Sequence, residues 1–580
     1  MNSRKQNSKR GENLMKLDEF KSIVNKIKLK ELIGNKIVLY PIVLCIMIIS
    51  IIFITIAQKN SDLSKLVTEA EKHYYAQEYD LAIAKYGELS KKDMASPKWN
   101  LKIAEIYSVM NDLDNSLKYI DLAKKNEELD ASSYNHMVFT EFMNGKYEQA
   151  LKDGNLALLK YPKDKSLTKT MFTVYMGNNK ITEAKEIISG YEVDIQSSYD
   201  TAEYSKMLML VGKWEEGYSK LKLAYEINKD EYKIYDVLSQ ISLYNKDILL
   251  ENITALSKKN PNDLAYKMWL AKIYSLSIDT VDEANKLIQE MYGKDIGDIQ
   301  IKLIKANVYK NMDDTEKSDK LIEDVISEHS DDYGVYHSGG WYYLYKGDYE
   351  MASEYCRKSI QSNSEYPDNY GFLMPEILKH GTSKLAAEPY YRTALNKEPY
   401  NYNIMLSLAN YYWHTSDDIH KALEYFNFAS IIKPYDVEIK YNMALIKIFD
   451  GKGDEAIEIL NMCSKLDESV PKYHRTLATI YMTQSKVVEA KAEIKSAYDA
   501  DEEDILTLNN IGCYYISMEQ NVEKGLENIK KAFQGLNDSH DEYTKKIIVQ
   551  NYDKVQNLKQ SYATGKDNEE LKIPDFTLFY

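Results

Sequence analysis

Two sets of side chains in this chain have the types and spacing of a metal site. His329, Asp331, Asp332 and His337 form one, and His414, Asp417, Asp418 and His420 the other. Imidazole and carboxylate donors at such short intervals suit Zn²⁺. Asp just ahead of a helix is, however, the ordinary N-cap, accepting a hydrogen bond from a backbone N–H that has no partner within the helix. Capping accounts for both sets, so no metal and no cofactor is expected. A third set is aromatic: His337, Trp341 and Tyr345 stand at i, i+4 and i+8, one face of a helix. Rigid aromatic surface of this kind anchors a peptide at low entropy cost, and it stacks equally well on a sugar ring.

Nucleophilic and phosphate chemistry has few candidates. The four cysteines are Cys45, Cys356, Cys463 and Cys513, with no C-x-x-C pair among them. GxxxxGK[ST], GxGxxG after a strand, GxSxG and HExxH are all missing from the sequence. The chain is therefore expected to be no enzyme.

Composition narrows the class further. In 580 residues the net charge is −15, 28% of residues are charged and 44% hydrophobic, which excludes both a disordered tail protein and a multi-span transporter. With 23 Gly and 11 Pro, a turn-rich sandwich is disfavoured. Excess acidity argues against nucleic acid as a partner, because phosphate neutralisation needs clustered Lys and Arg. The charge is uneven. Residues 1–36 hold ten Lys/Arg and four Asp/Glu, a net of +6, which leaves 64 basic and 85 acidic residues, a net of −21, for the rest.

The basic segment 1–36 precedes Ile37–Ala57, an uncharged apolar run of 21 residues. At about 1.5 Å per residue it spans roughly 30 Å, the thickness of a bilayer's hydrocarbon core. Lys21, Lys26, Lys28, Lys30 and Lys36 precede it, against Lys59, Lys65 and Lys72 after it. That bias places the N-terminus in the cytoplasm and the remainder across the membrane. Residues 37–57 are thus expected to be a single-pass signal anchor in the plasma membrane. A cleaved signal peptide ending at Thr55-Ile56-Ala57 is the rival, disfavoured by the length of the apolar run. Phe20, Ile23, Val24 and Ile27, interleaved with lysines, either lie on an anionic leaflet or form a solvated tail.

The elements that position all these residues come from a repeat. GKYEQA at 145–150, GKWEEG at 212–217 and GDYEMA at 347–352 are three copies of one pattern. Aligned on its last small residue, the marker recurs at Ala82, Ser116, Ala150, Ala184, Gly217, near Leu250, Ala284, Ser318, Ala352, Ala387, Ala422, Ala456, Ala490 and Gly525. The 443 residues from Ala82 to Gly525 cover thirteen intervals, a mean of about 34. Large residues lie three before and four after the marker, with a small one seven after, which is a helical stripe. An earlier small/Tyr pair, such as Ala104/Tyr107 or Ala478/Tyr481, marks a preceding helix. Gly145, Gly212 and Gly347 fall between the two helices, where a left-handed cap needs no Cβ. Cys356, Cys463 and Cys513 occupy core positions of this pattern.

The pattern resembles the tetratricopeptide repeat (TPR) family over residues 61–535. The resemblance implies an all-α fold, a right-handed superhelical solenoid of helix-turn-helix units preceded by the transmembrane helix. It also implies that the first helix of each unit lines a concave groove. Groove positions would then hold His337, Trp341, Tyr345, Asn369, Tyr411, His414, Arg475, Asn510 and Tyr514, with a peptide or helix of a protein partner as ligand. Similar anchored TPR proteins act as assembly factors, so a non-enzymatic membrane-anchored scaffold is the leading expectation. A carbohydrate-binding or polymer-assembly component of the cell envelope, with glycan in the groove, is the alternative. Departures are expected at Leu250, which lacks the small residue, at Thr315, where a large residue belongs, and at Pro375 and Pro389, which would kink or break the unit at Ala387. Residues 539–562 read as a polar capping helix and 563–580 as a tail. Its apolar end, IPDFTLFY, is expected to dock either in the chain's own groove or on a partner.

Overall fold

The structure is a computed structural model and describes residues 61–125, 129–329, 331–380, 384–434, 436–563 and 573–580. The basic segment 1–36 and the expected span 37–57 lie outside the described residues. Among those described, no helix is long and apolar enough to cross a membrane, and none forms a strand. The chain divides into two compact bodies at Ile404/Met405, and the described residues of each form stacked helical hairpins.

The repeat explains the hairpins residue by residue. All the small markers from Ala82 to Gly525 are buried, because they sit where the second helix of a unit crosses the first. Where the marker is serine, the hydroxyl remains satisfied. Ser116 Oγ donates to the Ala104 carbonyl at 2.9 Å, and Ser318 Oγ to the Ala306 carbonyl at 2.8 Å. Most turns between the two helices of a unit carry one residue in the left-handed region. Glycine fills it at Gly145, Gly212, Gly347 and Gly451, but Asn111, Asn179, Asp313, Asp417, Ser485 and Gln520 fill it elsewhere. The next amide then reaches back to the helix end, as from Asp348 to the Tyr343 carbonyl at 2.9 Å and from Lys486 to the Tyr481 carbonyl at 2.8 Å. These are Schellman caps, and their bond compensates a strained backbone angle.

The departures have physical causes. Ahead of Leu250 the turn shrinks to a kink: Tyr232–Lys259 is two helices that meet at Asn245, which takes the non-helical angles φ −140° and ψ 38°. The unit at Ala387 is broken into a π-helical turn Asn369–Leu373, a short helix Met374–Lys379, a 3₁₀ turn Lys384–Ala387 and the helix Glu388–Lys397. Pro375 and Pro389 each fall in the first turn of a helix, where the missing N–H costs nothing. The capping helix runs Glu542–Ala563, starting after Asp541, whose carboxylate accepts from the Thr544 amide at 2.9 Å. It is less polar than expected: Ile547, Ile548, Val555 and Leu558 are buried against the last hairpin.

Within the first body the broken unit does more than interrupt the stack. Residues 365–401 lie against first helices of earlier units. Thr393 bonds the Tyr75 hydroxyl at 3.0 Å, Arg392 Nη2 donates to Ser108 Oγ at 2.6 Å, and the Tyr400 ring meets Phe172 at 5.7 Å. Further along, Glu398 pairs with Lys206 at 2.9 Å and with Lys233 at 3.8 Å, and Asp368 accepts from Gln240 Nε2 at 3.0 Å. All five of these last side chains are buried. Burial alone would raise the Glu398 carboxyl, but the two ammonium groups outweigh it and hold the group at about 2. Asp368 goes the other way, pushed up by burial and by the neighbouring Asp236.

That packing corrects two expected groove residues. His337 and Asn369 are buried, not open to a partner. His337 Nδ1 lies 2.8 Å from Asn369 Oδ1, and Trp341 Nε1 donates to His337 Nε2 at 3.0 Å. Burial lowers His337 to about 4, so the ring is neutral at ordinary pH, with its proton on Nδ1. The aromatic stripe therefore divides. Trp341 is half-buried, and only Tyr345 projects outward, under Lys310 Nζ at 3.9 Å from the ring centre.

Candidate functional site: a peptide-wide groove in the second body

In the second body the inner positions of successive first helices are polar and closely spaced. Helix Pro471–Thr483 supplies Arg475 and Thr479, helix Ile505–Ser517 supplies Asn509 and Asn510, and the capping helix supplies Asn551. Arg475 and Asn509 stand one repeat apart, so the stack itself places them side by side. All five are buried. Asn551 Nδ2 donates to Asn509 Oδ1 at 3.0 Å, and Asn509 Nδ2 to Asn510 Oδ1 at 3.1 Å. Arg475 is oriented by an ion pair to Asp504.

Across these helices lies the chain's own end, residues 573–580, in an extended conformation without secondary structure. It is held by its backbone. Lys554 Nζ donates to the Asp575 carbonyl at 2.6 Å. Asn551 grips Thr577 from both sides, donating to its carbonyl at 2.7 Å and accepting from its amide at 3.2 Å. Asn510 does the same for Phe579, at 2.7 Å and 3.0 Å, and Thr479 Oγ1 adds a bond to the Phe579 carbonyl at 2.8 Å. Arg475 Nη2 meets the Tyr580 carbonyl at 3.4 Å. The gripped residues are 575, 577 and 579. That alternation is the period of an extended strand, which turns every second peptide toward the same side. Each asparagine amide turns one N–H and its carbonyl oxygen toward the tail, matching the C=O and N–H of one residue, while its nitrogen also donates within the groove.

Side chains add anchors to this backbone clamp. Phe579 is buried in the core that includes Ile511, Ile529 and Ile548, and Ile573, Phe576 and Leu578 pack against the same core. The Tyr580 ring stands 6.3 Å from Phe449, which in turn meets Trp413 at 6.4 Å.

The expected groove positions in this body divide three ways. Arg475 and Asn510 touch the bound tail directly. Tyr514, one turn beyond Asn510, is buried, its hydroxyl 3.2 Å from Glu519 and 3.4 Å from the Val487 carbonyl. Tyr411 is buried, while His414 is exposed and stacks on Trp413 at 4.6 Å, two rings away from Tyr580. Asn551 and Thr479 were not anticipated. Asn551 carried a signal: it is the one polar position on the stripe of Ile547, Ile548, Val555 and Leu558 in the capping helix.

The candidate reactive groups are taken up by packing, caps and ion pairs. Cys356, Cys463 and Cys513 are free and buried, and burial raises all three thiols, Cys356 to about 12 and Cys463 to about 11. Asp332 and Asp418 cap helices, accepting from the Val335 and Lys421 amides at 2.9 and 3.0 Å. His329 lies with Asp298 and Glu328 instead, a trio whose carboxylates already share the Lys302 ammonium at 2.8 and 2.5 Å.

No protein-family model matches the chain, and no curated protein matches it in sequence. Among solved structures it is similar to yeast Tom70, at 14% identity over 82% of this chain and 96% of that one, with a TM-score of 0.35. It is also similar to a chain of Naa15/Naa10 bound to HypK-THB (14%, 88% and 95%, 0.37) and to one of the hetero-tetramer Cut9-Hcn1 (12%, 80% and 98%, 0.34). Overlaps this low carry no weight. The hairpins themselves have the 34-residue period and the buried small markers on which the resemblance to tetratricopeptide repeats rests.

Proposed function

We propose that the chain is a non-enzymatic scaffold that binds an extended protein segment in the groove of residues 405–580 and is tethered to a membrane through residues 37–57. The observation that carries the groove is the pair Asn510 and Asn551, each bonded to both the N–H and the C=O of one tail residue. Such contacts read backbone and tolerate many sequences, as suits a binder of segments rather than of one small molecule. A glycan offers no regular alternation of donor and acceptor at this spacing, so the protein segment is the better-supported ligand.

Two experiments check the reading. A photo-crosslinking residue at Phe449, which is exposed beside Tyr580, should capture discrete protein adducts in cells from a chain ending at residue 572. Those adducts should vanish with Asn510→Ala; adducts indifferent to Asn510 would remove the groove from the function. The tether and its sidedness rest on the apolar run and its flanking lysines, which put the helical hairpins outside the cytoplasm. Added protease should then digest the hairpins in cells stripped of any outer barrier. Protection until the membrane is broken would reverse the topology and with it any envelope role.

A further inference from the structure

We infer that the tail 573–580 is a built-in competitor: the groove's partner is an extended segment that imitates it, with an aromatic residue at the place of Phe579, and binds by displacing it. This rests on the groove reading above and adds what the groove selects and how access is controlled.

Three observations lead here. The tail brings no secondary structure of its own; its bonds to the groove are mostly made through its backbone, so any extended segment can replace them one for one. Its buried side chain is a single aromatic, Phe579, with Phe576 and Leu578 only partly covered. The seat is incomplete at its far end. Arg475 Nη2 reaches Tyr580 only at 3.4 Å, and the buried Arg475 Nε has no hydrogen-bond partner among the described residues. A partner placing an acceptor there would gain a bond the tail does not make.

The chain length between cap and tail favours occupation by the same molecule. Nine residues, 564–572, join Ala563 to Ile573, a contour of roughly 30 Å. The return along the capping helix from Ala563 to Lys554, which holds Asp575, is only about 14 Å. A short tether that reaches easily gives an effective concentration in the millimolar range. For an intrinsic Kd of about 0.1 mM or tighter, a free segment of equal affinity is therefore suppressed at least about tenfold until it outnumbers or outbinds the tail.

The test uses a fluorescein-labelled peptide, IPDFTLFY, titrated by anisotropy against the full chain in detergent, the chain ending at residue 572, and the full chain with Phe579→Asp. The last variant frees the tail while leaving every groove residue in place. Helical content by circular dichroism confirms that each is folded. Both tail-released proteins should bind the peptide at least about tenfold more tightly than the parent, and Asn510→Ala in the Phe579→Asp background should abolish the gain. A peptide with Ala at the Phe579 position, or a scrambled peptide, should bind at least about tenfold more weakly. Equal binding by parent and released chains would overturn the competitor and leave the groove standing. Equal binding of the scrambled peptide would overturn the aromatic requirement. No binding to any of the three would overturn this inference and count against the groove itself.

Discussion

Glu398→Ala is expected to cost the first body about 3–5 kcal/mol, the largest single loss for any polar side chain in it. Glu398 is the shared anion of two buried cations, Lys206 at 2.9 Å and Lys233 at 3.8 Å, and it also accepts from Asn401 Nδ2 at 2.6 Å. Removing it leaves two ammonium groups in a buried site where, among the described residues, Asp236, 3.2 Å from Lys233, is the ion-pair partner that remains. Charges taken from water are stable only while paired, so the loss exceeds the worth of any one contact. Against a typical domain stability of about 5–15 kcal/mol this is enough to melt part of the body. Glu398→Gln keeps only one of the two acceptor oxygens, which take hydrogen bonds from Lys206 and Asn401, and should fall between parent and alanine variant. The pH signature follows from the sign of the shift. Glu398 is depressed from 4.5 to about 2, so its contribution is fully present above about pH 4.5 and is lost as pH falls through about 2. That shift is worth about 3 kcal/mol. Asp368, raised in the fold, contributes with the opposite sign, its stabilisation fading as pH rises. The difference between parent and variant isolates Glu398: urea unfolding followed by circular dichroism should show it large at pH 6 and shrinking toward pH 2. A loss below about 1 kcal/mol at pH 6 would mean the cations find water and the interior is not closed.

This interior also marks where sequence reasoning stops. The 34-residue period was legible because the small markers and the large residues around them recur on a fixed helical stripe. The broken unit was legible too, since Pro375 and Pro389 fit only the first turn of a helix and so break the two long helices expected there. What no local pattern reveals is that residues 365–401 fold back over the first helices of earlier units, with Arg392 reaching Ser108 and Glu398 reaching Lys206. Long-range burial of this kind turned His337 and Asn369 from groove residues into core. The turns were read only where glycine marked them. Asn111, Asn179, Asp313, Asp417, Ser485 and Gln520 take the same left-handed angle, at a cost their capping bond offsets, and their side chains do not announce it. In the groove, Arg475 and Asn510 stood out as polar residues on a first helix. Asn551 did not, because a capping helix is expected to carry polar residues and only its placement on the buried stripe sets it apart.

Gly525→Ala should destabilise the second body by about 1–3 kcal/mol and release the tail, while the same change at Gly87 stabilises the first. Replacing a mid-helix glycine by alanine normally gains about 0.5–1 kcal/mol in helix propensity. Nothing lies within 4 Å of a Cβ at Gly87, in the helix Tyr79–Lys92, so the gain is realised there. Gly525 is different because it crosses Gly512 backbone to backbone. A Cβ at 525 would stand 2.9 Å from the Gly512 carbonyl oxygen, and one at 512 would stand 2.7 Å from that of Gly525. Ile516, the other neighbour of a new Cβ at 525, can rotate away, but a carbonyl in a helix cannot. Helix Ile505–Ser517 must therefore move out, and it is the helix that carries Asn509 and Asn510. Both asparagines act through paired bonds to a fixed backbone, and bonds near 3 Å weaken steeply once displaced. The same substitution thus reaches the groove through packing alone. Hydrogen exchange reads both effects in one experiment: the Phe579 amide, bonded to Asn510 at 3.0 Å in the parent, should lose protection in Gly525→Ala and keep it in Gly87→Ala. Retained protection in Gly525→Ala would show that the two helices can part without disturbing the clamp, and that the tail is held chiefly by the buried Phe579 side chain.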